Sequence, residues 1–273
     1  RETVQAVVER YGVDTIYHMA AILSALGEQR PHLAWDVNIN GLYNILEVAR
    51  ECELVRVFCP SSIAVFGPET PRDNTPQETI LRPTTMYGVS KVAGELLCDY
   101  YVRRYGVDVR GARYPGIISS ETLPGGGTTD YAVAIFYEAV ANQKYTCFVR
   151  EDTVLPMMYM PDCIKGSIDL MEADFTQLKH HADFNMASMS FSAGELAGEI
   201  KEHIPGFSCD FEPDQRQAIA DSWPRSIDDS AAREEWNWQP AYDLEAMTTD
   251  MLHKLSARHA AGCLYPGDEV ACD

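Results

Sequence analysis

A tyrosine and a lysine stand four residues apart in the stretch TTMYGVSKVAGE, residues 84–95, and this pair could transfer a proton. Residues at i and i+4 are neighbours on a helix surface, so Tyr87 and Lys91 can act on one small molecule. An ammonium beside a phenol stabilises the phenolate, which is the form that a general base needs. An isolated Y-x-x-x-K spacing more often means a solvated lysine beside a half-buried tyrosine, so the pair requires support from the rest of the chain.

Further polar residues stand where they can assist such a base. The run PSSIAVFG ends a β-rich segment and places Ser61 and Ser62 at the carboxyl end of a predicted strand. Ligands of parallel sheets bind at that end, so a serine hydroxyl there can bond the substrate oxygen that Tyr87 faces. Asn38 lies in an apolar helical run. Alone it predicts a kink or a cap, and beside the other groups it predicts a residue that holds a proton-relaying water.

Composition and charge exclude several functional classes. The chain has 273 residues, of which 46% are hydrophobic and 23% charged, which is typical of a globular protein with a substantial core. Its formal net charge of -19 argues against nucleic acid or an anionic membrane surface as a partner, because phosphate binding needs clustered Lys and Arg. No apolar run approaches the roughly 20 residues of a membrane helix.

Cysteine spacing and the first residue give two further expectations. The 8 cysteines are scattered without a C-x-x-C pair, which predicts reduced thiols in an intracellular protein and no metal site. The chain begins at Arg1 within a helical pattern, which predicts a fragment or a processed product.

Short β-rich runs alternate with amphipathic helices along the first part of the chain, which predicts βαβ units and a parallel sheet. Predicted strands cover residues 14–21, 55–62 and 107–114, and predicted helices cover residues 34–52 and 85–105. Residues 115–130 are polar and glycine-rich, which predicts a loop over the site. After them we expect a helix from Tyr131, strands near Tyr145 and Leu155, a helix from Pro161 and a smaller mixed lobe.

Five motifs in register identify the chain as similar to a known family. MAA after the first strand, NINGLYNILEVA, PSSIAVFG, YGVSK and RYPG follow one another as in extended short-chain dehydrogenases/reductases, over nearly the whole chain. LPGGGTTDYA and LPMMYMPD resemble the L-threonine 3-dehydrogenase branch, of the short-chain type. The resemblance implies an α/β fold with a Rossmann-like doubly wound parallel sheet and a smaller mixed α/β carboxyl-terminal lobe. Residues 1–130 would form the dinucleotide-binding core, and residues 131–273 mainly the substrate-binding lobe.

The same resemblance implies an activity and three sets of site residues. The activity is oxidation of L-threonine to 2-amino-3-ketobutyrate, with NAD as cofactor and no metal. The catalytic residues are Ser62, Tyr87 and Lys91. The cofactor-binding residues are Ala20, Ala21, Asn38, Tyr87, Lys91, Tyr114, Pro115 and Ile117. The substrate-binding residues are Ser24, Ser61, Tyr87, Thr129 and Asp130. By capping preference alone, Asp130 is equally well explained as the N-cap of the helix from Tyr131.

The chain departs from the family at its beginning. The turn G-x-x-G-x-x-G and the acidic residue that binds the adenine ribose are absent from the sequence, so by comparison about 50 residues of the cofactor fold precede Arg1 in the family. The alternatives are a nucleotide-sugar epimerase or dehydratase of the same fold, or a non-catalytic truncated relative. The resemblance also implies a homodimer paired through the helices from Ala34 and Thr85. Its location would be intracellular: mitochondrial in a eukaryote, cytoplasmic in a bacterium.

Overall fold

The computed structural model describes residues 1–265, and these form eleven strands and eleven α-helices. The strands are β1 (Thr15–Tyr17), β2 (Arg56–Phe58), β3 (Ser61–Ser62), β4 (Val109–Arg110), β5 (Ala112–Tyr114), β6 (Gly116–Ile118), β7 (Lys144–Cys147), β8 (Val154–Tyr159), β9 (Phe184–Asn185), β10 (Met189–Ser192) and β11 (Ser208–Phe211). The helices are α1 (Glu2–Tyr11), α2 (Ser24–Gln29), α3 (Pro31–Trp35), α4 (Gly41–Glu51), α5 (Met86–Tyr105), α6 (Tyr131–Asn142), α7 (Met160–Glu172), α8 (Ala193–His203), α9 (Arg216–Ala220), α10 (Ser230–Trp236) and α11 (Leu244–Ala260). The predicted alternation of strands and helices is confirmed.

The described chain divides into two compact units. The first contains residues 1–114, 164–186 and 227–239, and the second contains residues 115–163, 187–226 and 240–265. In the first unit, β1, β2 and β4 form one parallel sheet and β3, β5 and β9 form another. Parallel strands need long crossover connections, and the helices between β1 and β5 provide them. The predicted α/β fold with parallel sheets is therefore confirmed.

The core of the first unit lies between helices and the first sheet. Its apolar residues come from α4, β2, α5 and β4, and they include Leu46, Val48, Val57, Cys98 and Val109. The helix predicted over residues 34–52 is present but is interrupted: residues 36–40 adopt a π-helical turn between α3 and α4. Such turns insert one extra residue and are frequent at functional sites.

The limits of α5 follow from its capping residues. Thr85 accepts a hydrogen bond from the backbone N–H of Gly88, which makes it the N-cap. Gly106 ends the helix with φ 69° and ψ 22°, a left-handed conformation that glycine adopts without strain. The predicted helix over residues 85–105 is confirmed. Gly88 has a second role, because a Cβ there would lie 2.3 Å from the carbonyl oxygen of Ala64.

The second unit is mixed α/β. β8 pairs in parallel with β6 and antiparallel with β10, while β7 and β11 form a separate parallel pair. Its buried apolar residues come from α6, β8, α8 and α11, and they include Ile135, Phe136, Leu155, Leu196 and Met251. The prediction that residues 115–130 form one loop is wrong at its start, because Gly116–Ile118 pairs with Met157–Tyr159 as β6.

Other sequence-based expectations concern cysteines, metals and membranes. Free thiols occur at Cys52, Cys59, Cys98, Cys147, Cys163 and Cys209. Cys263 is disulfide-bonded, so the prediction of reduced cysteines is wrong for that residue. Within residues 1–265, no group of three or more His, Cys, Asp or Glu residues could hold a metal ion. In the same range, no helix has both the length and the apolar character needed to span a bilayer.

Glu47 joins α4 to α5 through a buried hydrogen bond, and this bond generates a stability prediction. Its carboxylate accepts from the Tyr101 hydroxyl at 2.7 Å and from Arg50 Nε at 3.0 Å, which lowers the pKa of Glu47. Glu47→Ala removes the carboxylate that accepts from Arg50 and Tyr101, so we expect a loss of about 1–3 kcal/mol in the free energy of unfolding at pH 7. Urea denaturation measures this loss.

The pH dependence of that loss follows from the sign of the shift. A lowered pKa in the folded state stabilises the protein above the unfolded-state pKa, and the contribution is lost as pH falls through the folded-state value. The difference between wild type and Glu47→Ala should therefore shrink in acid. Glu51→Ala is the control, because Glu51 is exposed and should change stability by less than about 0.5 kcal/mol. Equal losses in both variants would contradict the assignment.

Candidate active site

Tyr87 and Lys91 lie on the same side of α5, as their spacing predicts. The Lys91 Nζ atom is 5.6 Å from the centroid of the Tyr87 ring. The same ammonium donates a hydrogen bond of 2.7 Å to the carbonyl oxygen of Pro60, and among residues 1–265 it makes this one hydrogen bond. An ammonium has three donors. Lys91 is therefore fixed next to the phenol with donors left for a ligand.

A small cavity in the first unit has Lys91 in its wall, whereas Tyr87 and Ser62 are not among its lining residues. Its wall contains several residues predicted from the sequence, namely Ala20, Ala21, Asn38, Ser61 and Lys91. The wall also contains residues that the sequence analysis did not assign to the site, namely His18, Met19, Leu42, Cys59, Pro60, Ser90, Gly94, Glu95, Cys98 and Ala182. The structure thus brings segments from β1, the π-helical turn, β3 and α5 to one cavity.

Asn38 is held by hydrogen bonds within the protein. Its Oδ1 atom accepts from the backbone N–H of Ile22 at 2.8 Å, and its Nδ2 atom donates to the carbonyl of Ile22 at 3.0 Å. The second Nδ2 hydrogen reaches Ser90 Oγ on α5, also at 3.0 Å. Both amide hydrogens are therefore used. Asn38 fixes the segment that contains Ala20 and Ala21, and this role differs from the predicted water holder.

The two serines of β3 have different surroundings. Ser62 is half-buried, and its Oγ atom accepts a hydrogen bond of 3.2 Å from the backbone N–H of Ala64. That bond occupies an acceptor site of the hydroxyl and leaves its hydrogen for donation. Ser61 is 5% exposed and donates to Glu95 Oε1 at 2.5 Å. The Ser62 hydroxyl therefore keeps a hydrogen to donate, as its predicted catalytic role requires. The hydrogen of the Ser61 hydroxyl is used by Glu95, which makes its predicted substrate contact less suitable.

Of the remaining predicted residues in the first unit, Tyr114 and Ser24 have defined positions. Tyr114 lies opposite Ser62 in the β3–β5 register, and its hydroxyl is 2.5 Å from Ser167 Oγ. Ser24 is buried at the first position of α2, where Leu23 is the N-cap. Their assigned ligand contacts stay predictions.

The predicted site residues of the second unit lie just before, in and after β6. Pro115 is buried, and Ile117 is half-buried opposite Met158 in the β6–β8 register. The Asp130 carboxylate accepts from the backbone N–H of Gly127 at 2.7 Å and makes no side-chain cap bond to α6. Asp130 is the N-cap residue of α6, as the alternative predicts, but its carboxylate closes the preceding turn instead of bonding the helix. Thr129 is half-buried beside Gly116.

The sequence analysis missed a buried ion pair next to the cavity. Glu95 follows Lys91 by four residues and binds Arg113 on β5 through two hydrogen bonds, of 2.9 and 2.8 Å. Both side chains are almost completely buried, at 6% and 3% exposure. The available signal was the helical spacing of Tyr87, Lys91 and Glu95, which places three polar residues on one side of α5.

His18 lies in the cavity wall close to the Lys91 ammonium. Burial, and then the charge of Lys91, lower the pKa of His18, so its imidazole is neutral near pH 7. His18 therefore adds no positive charge to that of Lys91 in the cavity wall.

Comparison with known proteins gives a family and close relatives. The family described as "NAD dependent epimerase/dehydratase family" matches residues 1–187. An uncharacterized epimerase/dehydratase of Staphylococcus haemolyticus is 53% identical over 259 residues, which cover 94% of this chain and 81% of that protein.

Solved structures with this fold carry more specific names. The crystal structure of L-threonine dehydrogenase from Phytophthora infestans has a TM-score of 0.92 and 55% identity, covering 94% of this chain and 83% of that chain. The GalE-like L-threonine dehydrogenase from Cupriavidus necator, in its holo form, has a TM-score of 0.91 and 54% identity, covering 92% and 82% respectively. These similarities extend over both compact units, since each covers more than nine-tenths of the chain.

The Asn38 bonds predict a specific effect on cofactor affinity. Asn38→Ala leaves the buried N–H and C=O of Ile22 without their side-chain partner, so we expect a loss of about 1–3 kcal/mol in unfolding free energy. Because the segment with Ala20 and Ala21 is then released, the dissociation constant for NAD⁺ should rise about tenfold, measured by calorimetric titration. Asn40→Ala is the matched control from the same turn, since Asn40 is exposed and bonds only Asp36 among residues 1–265. Unchanged affinity in a folded Asn38→Ala protein would refute this role.

Proposed function

Because the chain belongs to the NAD dependent epimerase/dehydratase family, we propose that it oxidises L-threonine to 2-amino-3-ketobutyrate with NAD as cofactor. The observation that carries this proposal is the Tyr87–Lys91 pair on α5, with Lys91 in the wall of a cavity, in a chain that is 55% identical to an L-threonine dehydrogenase. The epimerase or dehydratase alternative is supported by the family description and by the name of the S. haemolyticus relative. Threonine oxidation and sugar-nucleotide conversion would both use this fold, so the two functions are distinguished by which substrate the protein converts.

The residue types around Lys91 suit a nicotinamide nucleotide. Ala20 and Ala21 have small side chains, and Lys91 has ammonium hydrogens for ribose hydroxyls. Tyr114, Pro115 and Ile117 complete the proposed cofactor contacts. We assign residues 1–130 to cofactor binding and residues 131–273 mainly to substrate binding, in line with the family resemblance.

Tyr87 acts as the general base in the proposed reaction. Its phenolate accepts the proton of the threonine side-chain hydroxyl, and Ser62 donates a hydrogen bond to the same oxygen. Lys91 binds the nicotinamide ribose in this proposal, with the ammonium hydrogens that its bond to Pro60 leaves over. When bound, NAD⁺ supplies the nicotinamide ring, which accepts the hydride from the threonine carbon that carries this hydroxyl. Removal of a proton and of a hydride converts the alcohol into a ketone.

Substrate binding in this proposal requires groups for a carboxylate and an ammonium. Asp130 has the charge that complements the ammonium of threonine, and Ser24 and Thr129 have hydroxyls for its carboxylate. Ser61 is a weaker substrate residue in this proposal, because its hydroxyl hydrogen is used by Glu95.

We also propose a homodimer and an intracellular location. Large apolar side chains are exposed on α3, α4 and α5, namely Leu33, Trp35, Tyr43, Val89, Leu96 and Tyr100. Exposed apolar surface of this extent is typical of an interface, and a second copy of the chain would cover it. The intracellular location follows from the family resemblance, and it is the cytoplasm in a bacterium and the mitochondrion in a eukaryote.

The reaction is tested by NADH absorbance with L-threonine and, separately, by chromatography of UDP-glucose after incubation, because an epimerase or dehydratase forms no net NADH. We expect NADH formation from L-threonine, and conversion of the sugar nucleotide instead would favour the epimerase alternative. Tyr87→Phe removes the base and keeps the ring, so kcat should fall by about 10²–10⁴-fold while NAD⁺ affinity stays the same. Near-normal turnover by Tyr87→Phe would refute the assigned base.

The dimer predicts that a charge on the exposed helical face separates the subunits. Leu96, which is 66% exposed, lies on α5, so Leu96→Glu should shift the protein from dimer to monomer in sedimentation equilibrium. Ile80→Glu is the control, because Ile80 is 46% exposed but lies outside both helices. A wild-type protein that sediments as a monomer would contradict the proposal.

A further inference from the structure

Glu95 is the centre of a buried triangle in the first unit. Its Oε1 atom accepts hydrogen bonds from Ser61 Oγ at 2.5 Å and from Arg113 Nε at 2.9 Å, and its Oε2 atom accepts from Arg113 Nη2 at 2.8 Å. Ser61 and Arg113 are direct register partners on the parallel strands β3 and β5. The Glu95 carboxylate therefore bonds two residues that lie side by side on neighbouring strands, Ser61 on β3 and Arg113 on β5.

The buried charges of this triangle need an explanation beyond stability. Removing two charges from water has a large cost, and buried ion pairs often stabilise a fold no better than apolar residues of the same volume. Burial raises the pKa of the Glu95 carboxyl, and the hydrogen bonds from Arg113 and Ser61 oppose that rise. The charges do supply a directional geometry, because a bidentate carboxylate and guanidinium permit few relative orientations.

The triangle lies next to the bond between Lys91 and Pro60. Lys91 and Glu95 are one helical turn apart on α5, and they bind the consecutive residues Pro60 and Ser61. Two adjacent turns of α5 are thereby attached to two adjacent residues at the start of β3. Such a double attachment fixes both the translation and the rotation of α5 about its axis, which a single bond cannot do.

The orientation of Ser61 also determines that of Ser62. Ser62 is the next residue of the two-residue strand β3, so the bond from Ser61 to Glu95 also restrains the backbone of Ser62. Loss of the Glu95 carboxylate would free this strand end to rotate.

Arg113 is itself fixed by further contacts, which makes the triangle rigid. Its Nη1 atom donates to the carbonyl of Gln77 at 3.0 Å and to Asn185 Oδ1 at 3.1 Å. The carboxylate of Asp183 lies 3.8 Å from its Nη2 atom. Arg113 thus links the carboxylate of Glu95 to the loop before α5 and to β9.

We propose that Glu95 is a positioning residue for the reaction, which holds α5 with Tyr87 and Lys91 in one fixed relation to the β3 residue Ser62. Glu95 acts through Ser61 and Arg113, and it takes no part in the transfer of the proton or the hydride in this proposal. The inference rests on the proposed function, because the groups that it positions are the proposed catalytic groups.

The experiment compares Glu95→Gln, Ser61→Ala and the double variant with wild type in the full chain. Glu95→Gln keeps the shape of the side chain and removes its charge. We expect kcat to fall about 10–100-fold, because small displacements of reacting groups have effects of this size, while KM for L-threonine and NAD⁺ changes less than about threefold. Ser61→Ala should lower kcat in the same direction, and the double variant should be no worse than Glu95→Gln. Wild-type kcat in Glu95→Gln, or multiplicative losses in the double variant, would overturn the proposal.

Two further variants separate positioning from stability. Asp108→Asn breaks the neighbouring ion pair with Arg110, whose side chain is 1% exposed, and should lower the melting temperature without changing kcat. Glu95→Met combined with Arg113→Met removes both charges and leaves neither unpaired, so it folds even where Glu95→Gln does not. It should show the same low kcat, and wild-type turnover in this variant would overturn the proposal.

A spectroscopic measurement keeps this test separate from the proposed activity. NMR spectra of protein labelled with ¹³Cζ-tyrosine contain a signal for Tyr87, which Tyr87→Phe identifies by its loss. Without any ligand, Glu95→Gln should shift this signal and Asp108→Asn should leave it in place. If wild type fails to oxidise L-threonine, the proposed function fails, but the shift still supports positioning by Glu95. An unchanged signal in Glu95→Gln would overturn the positioning role even in an active enzyme.

Discussion

The hydrogen bond between the Lys91 ammonium and the Pro60 carbonyl is the interaction on which the candidate site depends. It determines where a positive charge lies in a cavity whose nearby histidine is neutral. Because Lys91 is four residues from Tyr87 on one helix, the same bond sets the distance between the charge and the phenol. The ammonium retains two further donors, so one side chain can serve both the phenol and a ligand.

This arrangement requires α5 to approach the end of β3 closely. Gly88 permits the approach, since any Cβ at that position would collide with the carbonyl of Ala64. The glycine thus follows the proposed base for a steric reason. Thr85 starts the helix one turn earlier by accepting the N–H of the same glycine, so capping and close packing occur at one point.

Polar side chains around the cavity serve mainly to hold backbone segments. Asn38 fixes Ile22 and contacts α5, and Glu95 fixes Ser61 on β3. Buried polar groups that are fully hydrogen-bonded make a region rigid, and groups that are partly bonded destabilise it. The site therefore combines a few groups available to ligands with a larger number that set their positions.

The sequence by itself determined the features that depend on neighbouring residues. These include the limits of α5, which follow from Thr85 and Gly106, and the common side of Tyr87 and Lys91, which follows from helical spacing. The family motifs also indicated the fold class and the cavity residues Ala20, Ala21 and Lys91.

Only the tertiary structure decided which distant groups meet. The partner of Ser61 is 34 residues away, and that of Asn38 is 16 residues away, so no local pattern could predict that their hydrogen bonds were already used. Gly116–Ile118 looked like part of a loop because its flanking residues favour turns, yet pairing with β8 makes it a strand. Local periodicity encodes helices and caps, whereas the partners of buried polar groups are set when distant segments pack together.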